Sequence, residues 1–476
     1  MNSHNHLDLL AAARDAWTDG ASLRSRRERH KRYTYGDQWS DMLPDRKGHY
    51  VRESQLIQNS GRNPLTNNMI RQIVKIVIGR YRASCREQQI YSSDSGSRRY
   101  IEDNALFELD CRMLEEFLIS GCAIQRVCRE TRRGRRQTWI DNVDPRAFFV
   151  NAFKDPRGHD IELLGMLHDM SFPDIVARFG DGSQRRAEEL AAIYAATGAG
   201  SVFGSRESLG ESNPDADDFF NAPQGRCRAI EVWSLDCRNT LICHDRRDAK
   251  AFSIADSPSA RKTIDGLNAA RHKSGEASLK TRSRIDFVWH CRWFAPDGSL
   301  LASYDSPFGH RSHPFAVKFY PLTDGEVHSF VEDVIDQQRC VNRMVVLIDH
   351  IISSSAKGVL LFPVDQKPRN YDWEEILETW STTNGVLPIT GHGNTLPQQV
   401  TTPNCDASAY QLLGLQMKLF DQISGVSDII AGRNVSPTMG NAVYENQLRN
   451  SAIALADLLE SFAAFRSERD KKALNI

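Results

Sequence analysis

Val334-Ile335-Asp336-Gln337-Gln338-Arg339-Cys340-Val341-Asn342 sits inside the strongest helical pattern of the sequence. From Glu326 to about Ala356, apolar residues recur at Val327, Phe330, Val331, Val334, Val341, Met344, Val345, Ile348, Ile351 and Ile352. That three-and-four spacing marks one buried helix face. Roughly 30 helical residues would span on the order of 45 Å. A helix of that length reaches beyond an ordinary domain and is expected to pack against neighbours or copies of itself. Glu332 and Asp333 near its start suit the positive end of the helix dipole.

Upstream, the pattern changes to strands. Ile230–Leu235 and Ile285–Phe294 are rich in branched and aromatic residues, and Ala295-Pro296-Asp297-Gly298 predicts a hairpin turn into Ser299–Ala302. Between them, residues 245–284 are polar and rich in helix breakers, with ten Lys/Arg against five acids. Two readings stand side by side for this tract: a surface facing DNA or a docked protein, or a solvated loop. Residues 200–225 have linker composition.

The N-terminal third reads as α+β. A helix is expected from residue 7 to about 34, ending in Arg24-Ser25-Arg26-Arg27-Glu28-Arg29-His30-Lys31-Arg32. Such a run suits a solvated helix C-terminus better than a nucleic-acid contact. Tyr35-Gly36-Asp37-Gln38-Trp39 then forms a turn. Helices over about 66–83 and 101–120 and a hairpin with its tip at Arg132–Arg136 follow. Downstream of the long helix come strands near 358–362, a Gly/Pro/Thr-rich passage at 381–404, and a helix from Ala407 to Ile423 capped by Gly425. A last helix is expected from Asn441 to about Lys472.

Bulk composition narrows the function classes. Of the 476 residues, 40% are apolar and 25% charged, which places the chain among folded proteins rather than disordered ones. The formal net charge of -1 excludes a protein that simply coats nucleic acid. No secretory signal or membrane span is expected, and the scattered cysteines read as reduced thiols.

Several short motifs, taken in order, resemble the portal proteins of tailed bacteriophages, especially those related to short-tailed phages. Gly36-Asp37-Gln38-Trp39 resembles the Gly-x-Gln-Trp turn after their first helix, and Asp336-x-Gln338-x-x-x-Asn342 resembles the pattern of their second stem helix. Asn63 with the Ile70–Ile78 stripe, Val143-Asp144-Pro145, Glu231-Val232-Trp233, and Ile423-Ser424-Gly425-Val426 followed by Gly432, Met439–Ala442 and Gln447 add to the mosaic. The resemblance implies an α+β subunit with an α/β wing (1–183), a first stem segment and linker (184–228) and a β-rich clip insertion (229–322). A second stem helix (323–357), a wing/tunnel-loop region (358–440) and a short helical crown (441–476) complete it. It implies a homo-oligomeric ring, a homododecamer, at one capsid vertex of the virion, assembled in the host cytoplasm. Double-stranded DNA passes through it in packaging and ejection. The expected partners are the terminase large subunit, the major capsid and scaffolding proteins and a head–tail adaptor, with no membrane. Another head–tail connector ring is the alternative, followed by a metal-dependent DNA-processing enzyme.

Under this resemblance Lys357, Lys367 and Arg369 are the candidates for tunnel contacts with DNA. Arg271, Lys273, Lys280, Arg282 and Arg284 are the basic candidates of the clip, and Gln337, Val341 and Asn342 those for contacts between stem helices. No catalytic residue, cofactor or metal is expected. Cys237, Cys243, His244, His290 and Cys291 have poor zinc spacing. Asp333, Asp336 and Asp349 share a helix but not a face, and no phosphate loop is present.

Overall fold

The computed structural model describes residues 6–88, 103–132, 135–196, 218–245, 250–355, 359–381, 388–389, 398–400, 407–426 and 453–475. In chain order the helices are α1 (His6–Asp19), α2 (Ala21–Tyr35), α3 (Glu53–Asn59), α4 (Met69–Gln88), α5 (Leu106–Ser120) and α6 (Phe172–Phe179). They continue with α7 (Gln184–Ala196), α8 (Pro258–Lys273), α9 (Glu332–Ser355), α10 (Trp373–Ser381), α11 (Ala407–Ser424) and α12 (Ala456–Leu474). The strands are β1 (Met42–Pro44), β2 (Tyr50–Arg52), β3 (Cys122–Arg132), β4 (Arg135–Asn142), β5 (Phe148–Val150), β6 (Leu163–Met170), β7 (Cys227–Asp245) and β8 (Lys250–Ala255). They continue with β9 (Lys280–Phe294), β10 (Leu300–Asp305), β11 (Phe315–Phe319), β12 (Pro321–Thr323), β13 (Glu326–Val327), β14 (Val359–Leu361) and β15 (Gln398–Val400). The chain is thus mixed α+β. No helix among the described residues is long and apolar enough to cross a membrane.

Two compact units assemble from segments distant in sequence. One comprises residues 1–28, 82–329 and 456–476, the other 29–81 and 330–455.

The first unit is built on two antiparallel sheets. The larger runs β10-β9-β7-β6-β5, with β8 paired to β7 farther along, and the smaller runs β11-β3-β4. Its core joins Trp233 and Trp293 from the large sheet to Phe148, Phe315 and Phe319. Close-packed aromatic cores of this kind leave no spare volume. At Gly165 on β6, an added Cβ would collide with the Glu231 carbonyl oxygen and the Phe149 ring. Gly165→Ala is therefore expected to destabilise this unit by about 3 kcal/mol, read as a lowered urea midpoint; an unchanged midpoint would show that β6 and β7 can part at no cost.

Helix α12 packs on β3 and β11. Its buried residues Leu458, Phe462, Phe465, Arg469 and Lys472 recur every three or four positions. The stripe is apolar at first, with Phe462 5.8 Å from the Phe117 ring, and then cationic. Arg469 pairs with Asp110, which also takes Arg466 at 2.9 Å. The Lys472 ammonium donates to the carbonyls of His313 (3.2 Å) and Phe315 (2.6 Å). Burial pushes the Lys472 amine down to about 8.

Four expectations change. The single helix over 7–34 is broken at Gly20 into α1 and α2. Its basic end is not solvated throughout: Arg24, Arg27 and His30 are buried. Arg24 lies over the Trp17 ring at 3.8 Å, and Arg27 meets Glu116 at 2.6 Å and Asp144 at 3.5 Å. Local composition shows the cations but not the acids that the fold brings to them.

The long helix begins at Glu332, not Glu326, and spans 24 residues, or about 36 Å. Asp324 and Gly325 both take positive φ and turn the chain, so Glu326-Val327 becomes β13 against β12. Finally, the 245–284 tract is not one loop. It contains β8, the 16-residue helix α8 and the start of β9.

In the second unit, α9 packs against α11, and two small sheets, β1–β2 and β14–β15, flank the helices in sequence. Gly425 takes φ +65°, the cap conformation expected after α11. Gly432, Arg433, Met439–Ala442, Gln447, most of the 200–225 linker, Gly391–Gly393 and the hairpin tip at Arg133-Gly134 lie outside the described residues.

Candidate functional site

Strands β7 and β9 pair over their length, from Ile230↔Phe294 to His244↔Lys280, and form an arm of the large sheet. β10 covers β9 only from His290 to Phe294, and β8 lies on β7 from Thr240 to Asp245. α8 seals one face of the arm's end, with Ile264 against Leu241, Cys243 and Ile254. The helix starts where Ser257 accepts a hydrogen bond from the Ala260 N–H at 3.1 Å and Pro258 opens the first turn. It ends with Arg271, His272 and Lys273, cations suited to the negative end of the dipole. Ser257→Ala is expected to cost about 1 kcal/mol and to speed amide exchange across residues 259–262; unchanged exchange there would show that Pro258 alone starts the helix.

The basic candidates of the arm divide into two groups. Arg271 makes a two-pronged pair with Asp245 at 2.7 and 2.9 Å, and Arg284 pairs with Asp286 at 2.8 Å. The first pair ties α8 to the end of β7, and the second lies within β9. Lys273, Lys280 and Arg282 are exposed, and no ion pair engages them among the described residues. Arg246 and Arg247, from the same tract, lie outside the described residues.

The tunnel candidates scatter. Lys357 lies outside the described residues. Lys367 is half-buried, 5.0 Å above the Trp373 ring and 3.6 Å from Asp372, whereas Arg369 is exposed.

In the second unit, residues far apart in sequence converge on one polar hub. Gln338 Oε1 accepts the N–H groups of Met69 (2.9 Å) and Ile70 (3.3 Å), at the start of α4. Its Nε2 donates to the Asn67 carbonyl (2.6 Å) and to Asn342 Oδ1 (3.0 Å). Asn342 Oδ1 also accepts the Asn67 N–H at 3.0 Å, while its Nδ2 donates to Gln38 Oε1 at 2.5 Å. Gln38 in turn donates to the Tyr33 carbonyl (2.8 Å) and Asn68 (3.2 Å), and Gly36 takes φ +100° in the turn that presents it. An ionic fringe surrounds the hub. Glu53 takes Arg339 at 3.1 Å and Arg343 at 2.8 Å, and Asp41 takes Arg29 at 3.0 Å and Arg32 at 3.1 Å.

This hub places the stem candidates. Val341 and Asn342 are buried at 0% and 1% exposure. The Asn342 amide is engaged within its own chain, and Gln337 is half-buried. Gln338 is a position of the stem-helix motif, but the contact candidates name its neighbour Gln337 instead. The signal for Gln338 was available, since Gln338 and Asn342 stand one helical turn apart and share a face.

A second missed feature lies in the large sheet. Glu231 is fully buried, 3.3 Å from Arg126 and 2.7 Å from His168, and accepts the Trp233 indole N–H at 2.8 Å. Burial opposes its ionisation, but Arg126 and the His168 hydrogen bond hold the carboxyl at about 2. Burial also keeps His168 below its usual range, hence neutral. Charges this deep are retained only when paired.

In both clusters the named side chains are engaged with one another and with the backbone. Among the described residues no group of His, Cys, Asp and Glu could hold a metal ion. Cys243 and Cys291 are buried thiols, and His290 is spent on Asp305 and Ser303. The family model described as phage P22-like portal protein matches residues 10–474. No curated protein matches the chain.

Proposed function

Because this chain belongs to the phage P22-like portal protein family, a structural family whose rings pass DNA during packaging and ejection, we propose that its β7–β9 arm with α8 is the end of the subunit that docks the packaging motor. The family sets the rest of the frame: a homo-oligomeric ring at a capsid vertex, interacting with DNA and other phage proteins, and not an enzyme.

The observation that carries the proposal is the sorting of charge on the arm. Arg261, Arg271 and Arg284 are spent on Asp256, Asp245 and Asp286, while Lys273, Lys280 and Arg282 are exposed near its end. Exposed cations next to a sheet sealed by its own helix offer a steering surface for an acidic partner without demanding a tight grip. The motor partner is the terminase large subunit, and a head–tail adaptor later takes the same surface. The net charge of -1 fits a conduit that lets a polyanion slide. In this reading 229–322 is the clip, 1–183 the wing, 184–228 and 323–357 the stem segments, 358–440 the wing/tunnel-loop region and 441–476 a short crown. Twelve copies close the ring, with Arg369, Lys367 and Lys357 toward DNA. Capsid and scaffolding proteins contact the outside.

The test is a triple variant, Lys273→Glu, Lys280→Glu and Arg282→Glu. Rings should still form, and binding of purified terminase large subunit at low salt should fall at least tenfold. Undiminished binding by intact variant rings would remove the arm from this role.

A further inference from the structure

The arm is a three-stranded sheet, β9-β7-β8, with an open edge on either side among the described residues. On β9, the stretch Lys280–Val288 lies beyond the reach of β10, which pairs only with His290–Phe294. On the opposite side, β8 pairs with β7 alone. Open edges of this length are templates for pairing with another chain.

The two edges are matched in a way that selects the partner. Pairing of Cys243 with Phe252 and Leu241 with Ile254 places Phe252 and Ile254 on the face sealed by α8. Pairing of Cys237 with Phe287 and Asn239 with Ile285, four and two residues from Leu241, places Ile285 and Phe287 on that same face. Yet Phe252 is 45% exposed at one edge, and Ile285 and Phe287 are 54% and 68% exposed at the other. Three large apolar side chains thus stand at opposite rims of one sheet face, where no element among the described residues covers them. On the other face, β9 presents Lys280, Arg282 and the Arg284–Asp286 pair, whereas β8 presents Ala251, Ser253 and Ala255.

We infer that in the assembled ring β8 of one copy adds to the Lys280–Val288 edge of β9 in the next copy, so that Phe252 packs beside the neighbour's Ile285 and Phe287. The inference rests on the ring reading above. A ring requires a heterologous contact, two different surfaces on one subunit that fit each other. The arm's two edges supply such a pair. A β9-to-β9 join is isologous and would close a pair of subunits rather than a ring. A β8-to-β9 join sets the cations of β9 against small uncharged residues. It also merges the two apolar rims into one strip, with directly opposed side chains about 5 Å apart. The cationic face stays open for the motor.

The experiment uses the full chain with Cys237→Ser, to remove the exposed thiol on the same face. Two double variants are made in that background, Phe252→Cys with Ile285→Cys and Phe252→Cys with Phe287→Cys, to allow for either register. Assembled rings are treated with a short bis-maleimide and run on denaturing gels, with the single-cysteine variants as controls. A covalent ladder extending to the ring size, in at least one double variant and in no control, is the expected result. Rings visible by negative stain that yield no ladder in either variant would overturn the strand join and leave the ring standing. Protein that forms no rings at all would overturn both. In unsubstituted protein, amides of 250–255 and 280–288 should exchange at least tenfold more slowly in rings than in monomer; equal rates would also overturn the join.

Discussion

Arg126→Met should destabilise the first unit by about 4 kcal/mol, the usual cost of stranding one member of a buried ion pair. Glu231 has no access to water, and Arg126 is the cation beside it at 3.3 Å, with neutral His168 and Trp233 as hydrogen-bond partners. Without Arg126, the carboxyl must stay charged in a nonpolar setting or take up a proton. Arg126→Met combined with Glu231→Gln should recover most of the loss, because it removes both charges at once. Chemical denaturation at neutral pH gives both numbers, and a double variant no better than the single would show that Glu231 is not the group left stranded.

The same pair sets a pH dependence. The Glu231 carboxyl sits near 2 in the fold against an ordinary value of 4.5. Its contribution is therefore fully present above pH 4.5 and is lost as pH falls toward 2, amounting to about 3 kcal/mol. Arg126→Met should remove that share of the acid sensitivity. The deficit of the variant should then shrink below pH 4.5, and a deficit constant down to pH 3 would contradict the assignment.

Gln338→Leu is the second large effect, expected at about 4 kcal/mol on the second unit. Leucine fills the space, but the Met69 and Ile70 N–H groups at the start of α4, the Asn67 carbonyl and Asn342 would each lose a partner. Every buried polar group left unpaired costs about 1–3 kcal/mol. Amide exchange at residues 67–71 should accelerate along with the drop in urea midpoint. Gln337→Leu, one residue away but outside these hydrogen bonds, should change the midpoint by less than about 1 kcal/mol. Equal effects from the two would mean that the helix face has been assigned incorrectly.

Periodicity made much of the framework legible. The stripes of α4 and α5, the β3–β4 hairpin, the turn at Ala295–Gly298 and the Gly425 cap all follow from local chemistry that the fold leaves undisturbed. Helix α8 was hidden because it buries a single residue, Ile264, so no apolar stripe announces it. Its cap, Ser257-Pro258, and its cationic last turn were nonetheless written in the sequence. The start of α9 was misplaced because Val327 and Phe330 continue the apolar spacing across a turn that only the backbone of Asp324-Gly325 dictates.

The hub lies at the limit of such reading. Gln38 and Asn342 are 304 residues apart and touch through one hydrogen bond. Each stood out as part of a family motif, but nothing in spacing or composition shows that the two motifs are halves of one structure. The same holds for Arg24 and Arg27. In the sequence they belong to a basic run, and in the fold they are buried cations held by Trp17, Glu116 and Asp144.

Membership of the portal family implies that identical copies of this chain close into a ring around a channel. Native mass spectrometry of the purified protein, supported by negative-stain images, tests it most directly. One dominant closed assembly of about twelve subunits with an open centre is expected, since cyclic homo-oligomers of this type arise from heterologous contacts. A stable monomer or an open-ended fibre across salt and protein concentrations would contradict it.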